Sequence, residues 1–360
     1  MNHDLIPSPD LLGYPATPGL MLLLSSLTLA AHWMFIGSAV GAIFVVLLNS
    51  LHAKDETRRA VTRTLLLFLP FLLSMGVTLG IAPLLFIQVL YGNFFYSANV
   101  LIAGWWLLVV PLVIANFYLF YYARGRVKAS DGLRPLLPLV MMTVFVLLTL
   151  TLSSNMTLMQ TPSAWTEART AGPLSLFLGS RVAIRAPFAF LGFLAIGGLL
   201  TAILGRGGFM HDATADTQAI RTGLRLTLGA SLLQLGWGVL MTAALPADQR
   251  GALLDGGMTT VCFYTAIAAM VLVPVIAAWA LTRRSWPALA ATAATLFLAA
   301  TTIAFTRDGL RQAVLAPHFS VSSVAVHPQW GAFAMFLVFL VVGLGAIVAL
   351  LKLARTKDVA

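Results

Sequence analysis

The sequence predicts an all-α fold, a polytopic membrane bundle of about nine transmembrane helices, and three observations lead there. Of the 360 residues, 59% are hydrophobic and only 9% charged, where a soluble domain carries roughly a quarter charged residues. Mean hydropathy is +0.93. The apolar residues also come in runs long enough to cross a hydrocarbon core roughly 30 Å thick, which takes about 20 residues of helix.

Those runs fall at 18–50, 61–90, 98–123, 134–157, 182–205, 221–245, 257–281, 287–306 and 328–353, each bounded by short polar segments. No segment between them is long and polar enough to form a separate soluble domain, so 1–360 reads as a single transmembrane domain. The longest irregular stretches are expected at 158–181, 206–220 and 307–327. No short-period repeat is evident.

Orientation follows from the cations. With an outside N-terminus, 16 of the 22 Lys and Arg fall on the cytoplasmic side, including Lys54, Arg58, Arg124, Lys128, Arg221, Arg284 and Lys352. Arg169, Arg181, Arg185, Arg250, Arg307 and Arg311 fall on the other side. That bias predicts a multi-pass protein of a bacterial inner (cytoplasmic) membrane, with a periplasmic N-terminus and a cytoplasmic C-terminus. Residues 1–19 hold Asp4 and Asp10 but no Lys or Arg, so no cleavable signal is expected there.

The net charge of +10 does not form a basic stripe with interleaved aromatics, so membrane lipid is the expected surroundings and nucleic acid is not an expected partner. Cys262 is the single cysteine, which excludes an internal disulfide and thioether attachment of a c-type haem. No HExxH, Walker A or GxSxG motif occurs, so hydrolysis and ATP-driven work have no sequence support.

Among six histidines only His32 lies inside an apolar run; His3, His52, His211, His318 and His327 lie in the tail or in loops. Imidazole in hydrocarbon is costly without a hydrogen-bond partner or a metal. Two readings of His32 follow, a bond to a neighbouring helix or a metal ligand. Gly37 and Gly41 next to it would let a helix or a flat ring approach. Asp308 closes the eighth run between Arg307 and Arg311, which should keep it ionised; the plainer reading is a surface ion pair of little energetic value. Gln88, Asn116, Asn155, Gln160 and Gln234 read as interhelical hydrogen-bonding residues. Met156, Met159 and Met258 are soft side chains of the kind that can ligate haem iron, or simply pack.

Several of these residues together resemble subunit I of the cytochrome bd quinol oxidases. His32-Trp33-Met34-Phe35-Ile36 running on to Gly41 resembles that family's first-helix histidine stretch, and Gly76-Val77-Thr78-Leu79-Gly80 its second-helix glycine motif. Gln88, Tyr91-Gly92 and Tyr96 follow in the family's order. Asn155-Met156-Thr157-Leu158-Met159-Gln160-Thr161-Pro162 is similar to its fourth-helix exit, and Asp308-Gly309-Leu310-Arg311-Gln312 to its late Glu-x-Gly-Arg-Gln segment.

The resemblance implies b-type haem, one group or two, with His32 and Asp308 at the haem iron and Arg311 and Gln312 near propionates or the haem edge. Asp308 would be a second ligand or a haem neighbour. It also implies electron transfer in a respiratory chain, with a second membrane subunit or a c-type cytochrome as partner. Quinol oxidation and oxygen reduction are the family's activities. Here Arg185-Ala186-Pro187-Phe188-Ala189 and Phe263-Tyr264-Thr265-Ala266 stand where the family holds its low-spin haem ligands, and the run 246–257 replaces its long quinol-binding loop. Residues 104–117 hold no acid, and Ala313-Val314 replaces the family's Pro-Trp. Two other classes stay open: a haem-free structural or assembly subunit of a membrane respiratory complex, and a small-molecule transporter. Against transport, no inverted repeat is evident.

Overall fold

A computed structural model describes residues 6–7, 12–52, 54–128, 133–171 and 180–331, with 333–335, 338–339, 341–342 and 345 beyond them. The described chain is helical almost throughout. In order it forms α1 (Pro18–Ser50), α2 (Glu56–Leu90), α3 (Gly92–Leu101), α4 (Ala103–Leu107), α5 (Val109–Lys128), α6 (Leu136–Met159), α7 (Trp165–Ala171), α8 (Ser180–Arg206), α9 (Ala213–Ala243), α10 (Ala247–Leu254), α11 (Gly257–Arg283) and α12 (Trp286–Leu315). Among the described residues eight spans are long and apolar enough to cross a membrane, α4 and α5 together making the third. The expected span at 328–353 lies largely outside the described residues, as do Lys352, Arg355 and Lys357.

Consecutive long helices pack as hairpins, α1 with α2, α8 with α9 and α11 with α12, and α1 joins them by lying against α2, α6, α8 and α12. The most enclosed span is α8, with 72% of its apolar window buried against 11% for α4–α5, which therefore lies at the periphery. Small residues make that enclosure feasible, since lipid offers no hydrophobic drive for helix association and close backbone packing must supply it. A Cβ on Gly41 of α1 would run into the Gly197 backbone of α8, and one on Gly198 into Gly223 and Thr227 of α9. Pro70 and Pro83 in α2, Pro187 in α8 and Pro274 in α11 sit inside helices without ending them, as packing against neighbours in a membrane bundle allows.

Several boundaries differ from the sequence expectation. The stretch 158–181 contains α7, and 206–220 gives way to α9 at Ala213, where Asp212 accepts a hydrogen bond from the Ala215 backbone and caps the helix. Residues 98–101 belong to α3, so the third span starts at Ala103. Most consequentially, the polar run from Thr306 stays helical to Leu315, with Arg311 and Gln312 both donating to Asp308 across a turn.

At the end of the bundle where α2 and α12 finish, a second apolar core forms from Met21, Leu90, Tyr91, Phe94, Phe95, Leu158, Trp165 and Leu315. Tyr14 ties the N-terminal segment to it. Its backbone pairs with Ala325 and His327 at 2.8 Å each, and its hydroxyl donates to the Leu90 carbonyl at 2.9 Å. Gly13 beside it adopts φ +67, and a Cβ there would strike the Ala325 carbonyl.

Candidate functional site

His32 sits partway along α1 on the face turned to α2. Its Nδ1 lies 2.7 Å from the Gly76 carbonyl oxygen. A carbonyl only accepts, so Nδ1 carries the proton and Nε2 of the neutral ring is left as a bare acceptor. Gly80, one turn further along α2, leaves room for the ring: a Cβ there would meet Nδ1 and Cε1 of the imidazole. Gly80 thus makes room for the histidine, and Gly76 supplies the carbonyl that holds it. Gly76 additionally lies against Ile36 of α1.

Asp308, Arg311 and Gln312 come together on one face of α12, as their i, i+3 and i+4 spacing dictates. Arg311 Nη1 donates to Asp308 Oδ1 in a charge-assisted pair, and Gln312 Nε2 donates to Oδ2 at 3.0 Å. Tyr91, from the end of α2, adds its hydroxyl to Oδ2 at 3.1 Å. Arg311 also stacks over the Tyr91 ring at 5.0 Å. Burial and the neighbouring Asp308 charge hold the Tyr91 hydroxyl well above the usual tyrosine range, so it remains a donor. Asp308 is 9% exposed and Arg311 only 2%, so the pair is buried and not the surface pair that spacing alone suggested. A cavity of about 50 Å³, room for a few water molecules, adjoins it between Tyr91, Gln312, Leu315 and Phe319.

Arg307, next to Asp308 in α12, lays its guanidinium 5.6 Å over the ring of Trp33 in α1, the residue after His32. Arg185 of α8 joins the same end of the bundle and donates to Gln160 Oε1 at 3.2 Å. Among the described residues no cluster of three or more His, Cys, Asp or Glu is placed to hold a metal ion. Met159 is buried in the apolar core and Met258 is 71% exposed, so neither accompanies His32.

Sequence reasoning missed the roles of Arg185 and Arg307. Both were counted only as cations reporting topology; Arg185 lies inside α8, within the span expected at 182–205, whereas Arg307, expected to begin an irregular stretch, lies two turns inside α12. A cation within an apolar run is itself the signal that finds such residues. Of the hydrogen-bonding residues named beforehand, Gln234 donates to the Phe188 carbonyl at 3.2 Å and Asn155 to Asn99, joining neighbouring helices. Buried Asn116 has neither of its amide atoms satisfied.

No protein-family model and no curated protein matches the chain. Among solved structures, a chain of the bd oxidase from Geobacillus thermodenitrificans superposes with a TM-score of 0.72, covering 95% of this chain and 99% of that one at 13% identity. The two chains are thus alike over nearly their full lengths. At that identity the likeness is one of architecture, and it gives this multi-pass membrane protein a cytochrome bd oxidase-like fold.

Proposed function

We propose that the protein is a divergent cytochrome bd-like membrane subunit that binds one b-type haem through His32 and passes electrons within a respiratory assembly. The observation that carries the reading is the Nδ1-to-Gly76 hydrogen bond. A histidine that ligates a metal through one nitrogen commonly fixes its ring by donating from the other to a backbone carbonyl. The imidazole arrangement fits a haem ligand in that respect. Haem supplies one-electron redox chemistry when bound, and the bundle's part is to orient the imidazole and keep water away from it.

The carboxylate fits less well as an iron ligand. Its oxygens already accept from Tyr91, Arg311 and Gln312, and a metal would have to displace a buried ion pair. We therefore assign Asp308 the role of haem neighbour, holding Arg311 and Gln312 in place. The positive-inside count puts the Tyr91 end of the bundle on the periplasmic side of a bacterial inner membrane. A second membrane subunit or a c-type cytochrome would supply the redox sites that Arg185 and Phe263 displace, and quinol would react there.

The satisfied Asp308 network favours one competing reading, a haem-free scaffold subunit of the same kind of assembly. The visible spectrum of the purified, dithionite-reduced protein separates the two. A Soret band with an α-band supports haem binding, and a colourless preparation supports the scaffold.

A further inference from the structure

The end of the bundle opposite Tyr91 brings two arginines and a tryptophan together, where α8 finishes and α11 turns into α12. The 30 residues of α12 set Trp286 about 45 Å from Leu315 at the other end. Arg206, the last residue of α8, donates from Nε to the backbone carbonyl of Arg284 at 3.0 Å. Its guanidinium also lies 5.7 Å over the Trp286 ring. Those two contacts fix the plane of Arg206 and leave Nη1 and Nη2 as its unused donors among the described residues.

Arg284 occupies the turn with φ 47, a left-handed conformation that glycine adopts freely and arginine does not. Its amide closes α11 by donating to the Ala280 carbonyl at 2.7 Å, a bond that glycine would make without strain. An arginine kept at a strained position beside a second arginine points to a use for its side chain. Neither has a carboxylate partner: the three ion pairs among the described residues lie elsewhere. In the adjoining loop, Asp212 and Asp216 accept from the backbone amides of Ala215 and Met210. Trp286 is 47% exposed, and α11 exposes Leu272, Val275 and Trp279 on one face below the turn. Cations above an exposed tryptophan, at the end of an exposed apolar stripe, match an amphiphile lying at the membrane–water interface.

We propose that Arg206 and Arg284 bind the phosphate of an anionic phospholipid in the leaflet at this end of the bundle, which the cation count makes the cytoplasmic one. Guanidinium presents its donors in a planar fork that matches phosphate oxygens. An acidic lipid is favoured over a zwitterionic one, because no headgroup cation then has to share the corner with two arginines. The site stands apart from His32 and does not depend on haem.

The test is native mass spectrometry of the detergent-purified full chain with dioleoylphosphatidylglycerol or dioleoylphosphatidylcholine added at equal concentration. In a neutral micelle no membrane surface potential contributes, so retention reports a site. Wild type should retain one phosphatidylglycerol in preference to phosphatidylcholine. Arg206→Gln should weaken that preference by about fivefold, the effect of one cation at a lipid surface. Arg284→Gly should weaken it similarly while melting no lower in lipid-free detergent, because it relieves the backbone and keeps the carbonyl that holds Arg206. That variant decides the matter if Arg206→Gln fails to fold. Arg221→Gln removes an exposed cation near the start of α9, on the same side of the bundle, and should leave the preference unchanged. Equal retention of the two lipids by wild type overturns the site, as does a loss in Arg221→Gln as large as that in Arg206→Gln. Displacement of the lipid by equimolar inorganic phosphate overturns the lipid assignment in favour of a free anion.

Discussion

Arg311 reaches back one turn along α12 to the carboxylate of Asp308, and the two form a buried ion pair sealed by the Tyr91 hydroxyl and the Gln312 amide. Breaking such a pair on one side leaves an uncompensated charge in the protein interior. Asp308→Asn should therefore destabilise the protein by about 3–5 kcal/mol. Replacing both partners, as in Asp308→Leu with Arg311→Met, should recover much of that loss. Denaturant unfolding in mild detergent, followed by circular dichroism, checks both outcomes.

Gly80 lies under the His32 ring, so adding one methyl group acts on the imidazole without touching it chemically. Gly80→Ala should push the ring from the Gly76 carbonyl. In a haem-carrying preparation the expected result is a shifted or weakened Soret band with His32 still present. An unchanged spectrum with unchanged histidine NMR shifts would show that the ring has slack which the structure does not suggest.

The contact between Gly41 and Gly197 sets how closely α1 and α8 approach. Gly41→Val forces these central helices apart, at a cost of about 1–3 kcal/mol or more. Gly104→Val, at a position with open space around it, is the matched control and should cost at most the small helix-propensity difference. Paired melting curves compare the two.

Burial pushes the Tyr14 hydroxyl up to about 12 from its usual 10. The folded state therefore keeps a proton that the unfolded chain gives up above pH 10, and stability is full below pH 10 and falls between about pH 10 and 12. Tyr14→Phe, which cannot ionise, should flatten that part of the melting-temperature profile and lower the whole curve through loss of the bond to Leu90. A profile equally steep in the variant would place the alkaline loss elsewhere.

The membrane bundle was legible because hydropathy and span length act residue by residue, with no need of tertiary information. His32 was legible for the same reason, as the one imidazole in an apolar run. The extent of α12 was not, since Arg307, Asp308 and Arg311 look like a loop until the Asp308–Arg311 pair is seen to be buried, and the Tyr91 hydroxyl that helps to bury it arrives from the end of α2. Arg185 was expected within its span, but its hydrogen bond was not legible, because its partner Gln160 lies in a different helix connection. Local sequence reports burial well and reports partners across the bundle poorly.

The central functional claim is that the free Nε2 of His32 takes iron, and the most direct measurement is haem per polypeptide by pyridine haemochrome assay on wild type and His32→Ala prepared side by side. The account predicts close to one haem b per wild-type chain and near-complete loss in the variant, with circular dichroism showing the helices intact. Equal haem in both proteins, or none in either, would contradict it.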